Sequence, residues 1–210
     1  PIWSAARSAA LSARSYRTPA ICAVLPSFPL YGPGKVGSCL DTSPLAFARP
    51  DMVARMERVI VVGGGLAGVR AVEALRSKGY AGALTLVSAE RHRPYDRPPL
   101  SKAVLAGDSD DTTVDADWDA LRCELLLGVR ATGLRLNEPG RGGVVASTAG
   151  DLPFDGLVIA TGAAPVTLPG DGPQRVLRTI DDARALRPRL TEGARIVVVG
   201  AGWIGAEVAT

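Results

Sequence analysis

Two runs of β-branched apolar side chains, Val59 to Val62 and Ile196 to Val199, each feed directly into Gly-x-Gly-x-x-Gly and then into a segment of helical periodicity. Continuous apolar runs of this length are the pattern of parallel strands buried on both faces. After the first run, Leu66, Val69, Val72 and Leu75 recur at helical spacing, with Arg70, Glu73 and Arg76 elsewhere on the surface. This predicts a helix over 66–77, ended at Gly79. Ala83 to Val87 predicts a second parallel strand and Glu124 to Leu127 a third, stopped by Gly128. Thr132 to Leu136 and Val144 to Ser147 predict antiparallel strands around Pro139-Gly140-Arg141-Gly142, and Leu157 to Ile159 a buried strand running into Ala160-Thr161-Gly162. Strand, glycine turn and helix, repeated, define a Rossmann-like α/β fold with three layers, a parallel sheet and an antiparallel meander.

Remaining segments are punctuation. Arg93-Pro94-Tyr95-Asp96-Arg97-Pro98-Pro99-Leu100-Ser101-Lys102 carries three prolines and reads as a rigid loop presenting Arg97 and Lys102. Ser101 or a neighbour is expected to open a short helix that ends at Gly107. Residues 108–119 are acidic and polar, a surface connection in which Trp118 and Leu121 pack a short helix. Thr179 or Asp181 can cap a helix running to about Leu190, bent or shortened by Pro188. Arg195 to Val199 then predicts the strand of the second unit, with a helix beyond Gly205.

The glycine spacing has a chemical meaning. Gly63 permits the tight turn, Gly65 lets backbone approach a pyrophosphate, and Gly68 lets helix pack closely on strand. The pyrophosphate then meets free N–H groups at the helix N-terminus. Glu90 follows at the distance where such a unit places the acid that holds an adenosine ribose. Gly200, Gly202 and Gly205 repeat the pattern and imply a second dinucleotide site.

Charge and cysteine usage narrow the classes. The net charge of +3 comes from residues 1–55, which carry +4, while the rest carries −1. The positive surplus therefore lies outside the patterned region, which argues against a nucleic-acid partner. Cys22, Cys39 and Cys123 are isolated, and His92 is the lone histidine, so neither a metal site nor a histidine-based triad is expected. No apolar run reaches the roughly 20 residues of a membrane helix. Residues 1–55, rich in Ser, Ala, Arg and Pro, read as a disordered leader or as sequence upstream of a natural start at Met56. Their composition resembles an organelle transit peptide, but the prolines at 19, 26, 29 and 33 break any amphipathic helix.

The two fingerprints, Ala160-Thr161-Gly162 between them, and the loop from Tyr95 to Lys102 together resemble the FAD-dependent pyridine nucleotide oxidoreductases, in particular the ferredoxin reductases of the putidaredoxin-reductase type. The resemblance covers about Met56 to Thr210. It implies a truncated FAD/NAD(P)-binding fold: residues 56–174 as the first segment of an FAD-binding domain and 175–210 as the start of an NAD(P)-binding domain. It implies that Gly63, Gly65, Leu66, Ala67 and Gly68 hold the FAD pyrophosphate and Glu90 its ribose. Arg97 and Lys102 would lie along the flavin, Lys102 near its reactive nitrogen, and Ala131 would meet the adenine through backbone. Ala160, Thr161, Gly162 and Arg178 complete the contacts. Gly200, Gly202, Trp203, Ile204 and Gly205 would receive NAD(P)H, with NAD the expected form, and Glu207 would reach toward Lys102. Val166 departs from the pattern, standing where relatives often carry arginine.

On that resemblance the whole protein is a cytoplasmic NAD(P)H:ferredoxin or rubredoxin reductase serving a P450 or ring-hydroxylating dioxygenase system, with Lys102 and Glu207 at the chemistry, and this piece is expected to be inactive alone. Residues 69–102 contain no cysteine, which excludes the dithiol relay of glutathione-reductase-like members. A thioredoxin-reductase-like arrangement stays open, as do an NADH oxidase, a nitrite-reductase-type subunit and a signalling flavoprotein like apoptosis-inducing factor.

Overall fold

The computed structural model describes residues 23–25, 56–137 and 142–210. Its centre is a five-stranded sheet in the order β1 (Ala23–Leu25), β8 (Gly156–Ile159), β2 (Arg58–Val62), β3 (Ala83–Ser88) and β4 (Cys123–Leu127). β2 lies between β3 and β8, parallel to both, and β4 extends the parallel set beyond β3. Helix α1 (Leu66–Ser77) makes the crossover from β2 to β3. β1, inside the span expected to be an unstructured leader, pairs antiparallel with the outer edge of β8. The other residues of 1–55 lie outside the described residues. The turn at Pro139-Gly140-Arg141 does too.

The period-two geometry of β2 divides the core into two halves. Val59 and Val61 face α1, where they pack with Val69, Val72, Leu84, Leu86 and Trp118. Ile60 and Val62 face the opposite way, onto Val145 and Phe154 of a three-stranded antiparallel meander. That meander is formed by β5 (Ala131–Leu136), β6 (Gly143–Ser147) and β7 (Gly150–Phe154). The sheet is thus covered on one face by helix and on the other by the meander, which explains why β2 carries no polar alternation. Asp155, between β7 and β8, accepts from the backbone N–H of Glu57 (3.1 Å) and Arg58 (2.8 Å), fixing where β2 begins.

A third cluster stands beside the sheet. Pro98–Ser101 form one 3₁₀ turn and α2 (Ala103–Ala106) follows it, ending at Gly107 with φ 90°. Leu100 and Val104 pack on Ile180 and Ala183 of α4 (Ile180–Leu186), together with Tyr95. The short α3 (Trp118–Leu121) precedes β4 and buries Trp118. Thr179 caps α4 in a reciprocal box with Asp182, and Pro188 falls in a 3₁₀ turn, Arg187–Arg189, that ends it.

Of Ser101 and its neighbours, Lys102 opens the short helix, standing just before α2, and the Ser101 hydroxyl donates to Glu207. One expectation is corrected. Arg195 to Val199 form no strand, because none of the described strands pairs with them. Strand preference expresses packing on a pleated, half-buried surface. Here Val197 is 87% exposed. The glycine turn and α5 (Trp203–Ala209) nevertheless form directly after this run. Among the described residues no helix is long and apolar enough to cross a membrane.

The two apolar runs should respond differently to truncation. Leu86→Ala, at a fully buried position against β2, is expected to cost about 2–5 kcal/mol in urea unfolding. Val197→Ala should stay within about 0.5 kcal/mol of the parent.

Candidate functional site: a glycine-cradled cleft

β2 ends in a turn that only glycine fits. Gly63 has φ 125°, and a Cβ built on it would overlap the carbonyl oxygen of Ala160 at the end of β8. A Cβ on Gly68, one turn into α1, would overlap the carbonyl oxygen of Gly63. At Gly64 it would come within 2.5 Å of Ser88 Oγ. Gly65 differs: among the described residues, its chain neighbours aside, nothing lies within 4 Å of a Cβ placed on it, which points into open space. Gly65 is also the residue before α1, no side chain caps it, and the first turn holds no acid. The three fingerprint glycines therefore have separate jobs: closing the turn, clearing a ligand's path and seating the helix.

That open space is a cleft of about 330 Å³ along the C-terminal ends of β2, β3 and β8, where ligands of open α/β sheets bind. Gly63, Gly65, Leu66 and Ala67 line it from the turn, Glu90 from beyond β3, and Ala131 from the start of β5. Ala160, Thr161 and Gly162 line it beyond β8, with Arg97 and Arg178 closing the far wall. Gly68 is outside, packed beneath the turn. Sequence reasoning overlooked Arg130, which also lines the cleft. One acidic residue, Glu90, thus shares the lining with three arginines, Arg97, Arg130 and Arg178, and this charge balance favours an anionic ligand.

Glu90 is tightly held. Arg97 Nη2 donates to its Oε1 at 2.8 Å, and the Tyr95 hydroxyl donates to its Oε2. Arg97 Nη1 donates to the carbonyl of Arg178, and the Arg97 guanidinium lies 5.6 Å from the centre of the Tyr95 ring. The Tyr95 hydroxyl accepts from the Ile180 N–H at 3.0 Å. Tyr95 is only 6% exposed, and burial, reinforced by its bond to Glu90, pushes its phenol up to about 12. It sits inside the proline-rich loop, but nothing in its spacing marks it apart from its neighbours.

A second cavity, of about 300 Å³, shares Arg97 and Arg178 with the first. Lys102, Ser101, Trp203, Ile204 and Glu207 line it. Lys102 Nζ is 2.8 Å from Glu207 Oε1, bringing together the pair expected from the sequence. Hydrogen bonds from Lys102 and Ser101 hold the Glu207 carboxyl below its ordinary range. Gly200, Gly202 and Gly205 line neither cavity. Their turn matches the first closely: Gly200 has φ 121°, Gly202 before α5 has φ −80° and ψ 175° against −85° and 178° at Gly65, and a Cβ on Gly205 would overlap the Gly200 carbonyl oxygen. Among the described residues no backbone walls this second turn as Ala160 walls the first. Cys123, pushed up to about 11 by burial, is no thiolate nucleophile. Among the described residues no cluster of His, Cys, Asp and Glu could hold a metal ion.

Fold and cleft define a dinucleotide-binding α/β protein of Rossmann-like type. Residues 57–210 match the family described as pyridine nucleotide-disulphide oxidoreductase, and the chain belongs to it. The ferredoxin–NAD(+) reductase subunit of the benzene 1,2-dioxygenase system of Pseudomonas putida is 39% identical over 159 residues, 72% of this chain and 38% of the relative. The crystal structure of Fdr9 is similar at 53% identity and a TM-score of 0.68, covering 74% of this chain and 38% of that one. The covalent putidaredoxin reductase–putidaredoxin complex is similar at 36% identity and a TM-score of 0.65, covering 73% and 39%. The chain therefore spans about two fifths of the length of these relatives.

Two outcomes follow from the cleft. Gly65→Ala should leave far-ultraviolet circular dichroism and unfolding unchanged while abolishing ADP binding by calorimetry, whereas Gly68→Ala should cost about 1–3 kcal/mol of stability through overpacking. The Tyr95 phenol, raised above its unfolded value of 10.0, stabilises the fold fully below that pH, and this contribution is lost as pH rises through about 12. Phenolate absorbance followed against pH should show one tyrosine of the wild type titrating near the upper value, and Tyr95→Phe should remove it.

Proposed function

We propose that this chain is the FAD-binding and initial NAD(P)H-binding portion of an oxidoreductase that passes electrons from NAD(P)H to a small iron–sulfur protein, a ferredoxin or rubredoxin. The observation that carries the reading is the pair of cavities sharing the wall of Arg97 and Arg178, one built on the first fingerprint and one on the Lys102–Glu207 pair. On this reading residues 56–174 belong to the FAD-binding domain and 175–210 open the NAD(P)-binding domain. The similarity to a ferredoxin–NAD(+) reductase supports NAD as the nicotinamide form and a ferredoxin as acceptor.

The residues present fit FAD. The methyl-free space at Gly65 admits a pyrophosphate, and the amides of Leu66 and Ala67 at the N-terminus of α1 face it with the favourable end of the helix dipole. Three arginines against one acidic residue in the lining complement its two negative charges. Glu90 would hold the ribose, the backbone at Ala131 the adenine, and Ala160, Thr161, Gly162 and Arg178 the remainder. FAD supplies the hydride-accepting and single-electron-donating chemistry that no amino-acid side chain provides.

The chain's own residues bind and set the electrostatics. Lys102 holds a positive charge at the second cavity, where it favours negative charge developing on a ligand. Glu207 fixes the Lys102 ammonium, and Ser101 fixes Glu207 from the other oxygen. Trp203, 87% exposed, offers an apolar face beside them. Gly200, Gly202 and Gly205 give the second turn the shape that the first uses for a pyrophosphate.

FAD titrated into the purified chain should bind saturably by fluorescence quenching, and Glu90→Ala should raise its Kd about ten-fold or more, the loss of hydrogen bonds to a charged group. In a version spanning the relatives' full length, Lys102→Met should slow bleaching of the flavin absorbance by NADH by about 10²-fold or more. Unchanged FAD affinity in Glu90→Ala and an unchanged bleaching rate in Lys102→Met would together contradict the reading.

A further inference from the structure

The contacts around Glu90 close into a ring. From the Ile180 amide the path runs to the Tyr95 hydroxyl, to Glu90 Oε2, through the carboxylate to Oε1, to Arg97, and back to the Arg178 carbonyl, two residues before Ile180. Each carboxylate oxygen receives one donor from this ring. A carboxylate offers about four lone-pair sites, so each oxygen keeps one for a ligand. Two acceptors side by side on one rigid group suit a vicinal diol.

Tyr95 cannot rotate out of this role. Its backbone bridges Thr113, with Asp96 N–H donating to the Thr112 carbonyl at 2.8 Å and Val114 N–H to the Pro94 carbonyl at 2.9 Å. Its ring is packed with Leu100, Val104, Ile180 and Ala183. Because its oxygen accepts from the Ile180 N–H, its proton is left to point at Glu90. A phenylalanine would satisfy the packing alone, so the hydroxyl marks a task beyond it.

Resting on the FAD reading of the cleft, we propose that Tyr95 is a positioning residue for ribose recognition. Its hydroxyl, oriented by the Ile180 amide, fixes the Glu90 carboxylate so that one free lone pair on each oxygen meets one of the two vicinal hydroxyls of an adenosine ribose. Arg97 supplies the matching restraint on the other oxygen. Tyr95 does not touch the nucleotide; it acts through Glu90.

The test pairs one protein change with one ligand change. ADP and 2′-deoxy-ADP are titrated calorimetrically into the purified chain and into Tyr95→Phe. The wild type should prefer ADP by about ten-fold or more, as for hydrogen bonds to a charged acceptor. Tyr95→Phe should compress that preference below about three-fold while 2′-deoxy-ADP keeps its Kd within about two-fold, the signature of coupling between the hydroxyl and the ribose. Replacing Tyr95 by p-aminophenylalanine restores a donor and should restore the preference; this variant carries the test if Tyr95→Phe does not fold. An unaltered preference in Tyr95→Phe, an equal loss for both ligands, or a lost preference in the folded p-aminophenylalanine protein would overturn the role of Tyr95 and leave the cleft assignment standing. Absence of ADP binding to the wild type would overturn both.

Discussion

The site depends on one backbone contact, that between Gly63 and the chain beyond β8. The carbonyl of Ala160 occupies the space where any other residue at 63 would carry its Cβ, and the Gly63 carbonyl likewise occupies the place of a Cβ at 68. Strand, turn and helix are thereby stacked at backbone contact, and the cleft opens directly above that contact. Everything else in the site is referred to this point. Glu90 comes in from β3, paired with β2 from Arg58↔Ala83 to Val62↔Val87, and the 160–162 segment from β8, paired with β2 as far as Ile159. A slip of either pairing would move the walls away from the turn.

The second glycine turn shows how much of this geometry is local. Its dihedral angles reproduce those of the first within a few degrees, although its preceding run has no described strand beside it. Turn and helix start are therefore encoded by the fingerprint itself. The walls are not: Ala160 and Ser88 close on the first turn from strands elsewhere in the chain, and among the described residues nothing of that kind stands within 4 Å of a Cβ placed on Gly200 or Gly202.

The same division explains what was legible in the residues. The parallel strands and α1 were readable because their apolar periods are strong and their neighbours are present. The Arg195–Val199 run has the same pattern, yet a strand needs a partner for its backbone groups, which periodicity cannot guarantee. Thr179 as a cap was readable because its reciprocal partner Asp182 lies three residues away. Which of Ser101 and its neighbours opens α2 was not, since the Ser101 hydroxyl turns to Glu207, 106 residues distant. Most of the cleft lining followed from motif positions. Tyr95 and Arg130 did not, because their importance comes from which distant groups the fold brings to them.

The ring through Glu90 also bears on how the protein matures. Tyr95 and Ile180 are 85 residues apart, so their bond forms only after a long loop has closed. Contacts of such separation tend to form late, after local turns and neighbouring strands. The Glu90 end of the cleft is therefore complete only when α4 has docked, whereas the dihedral angles of the glycine turn are set locally. On the proposed reading, a nucleotide that requires both ends would bind the docked form alone and draw the chain toward it by mass action. Cofactor capture and that docking step would then be one event.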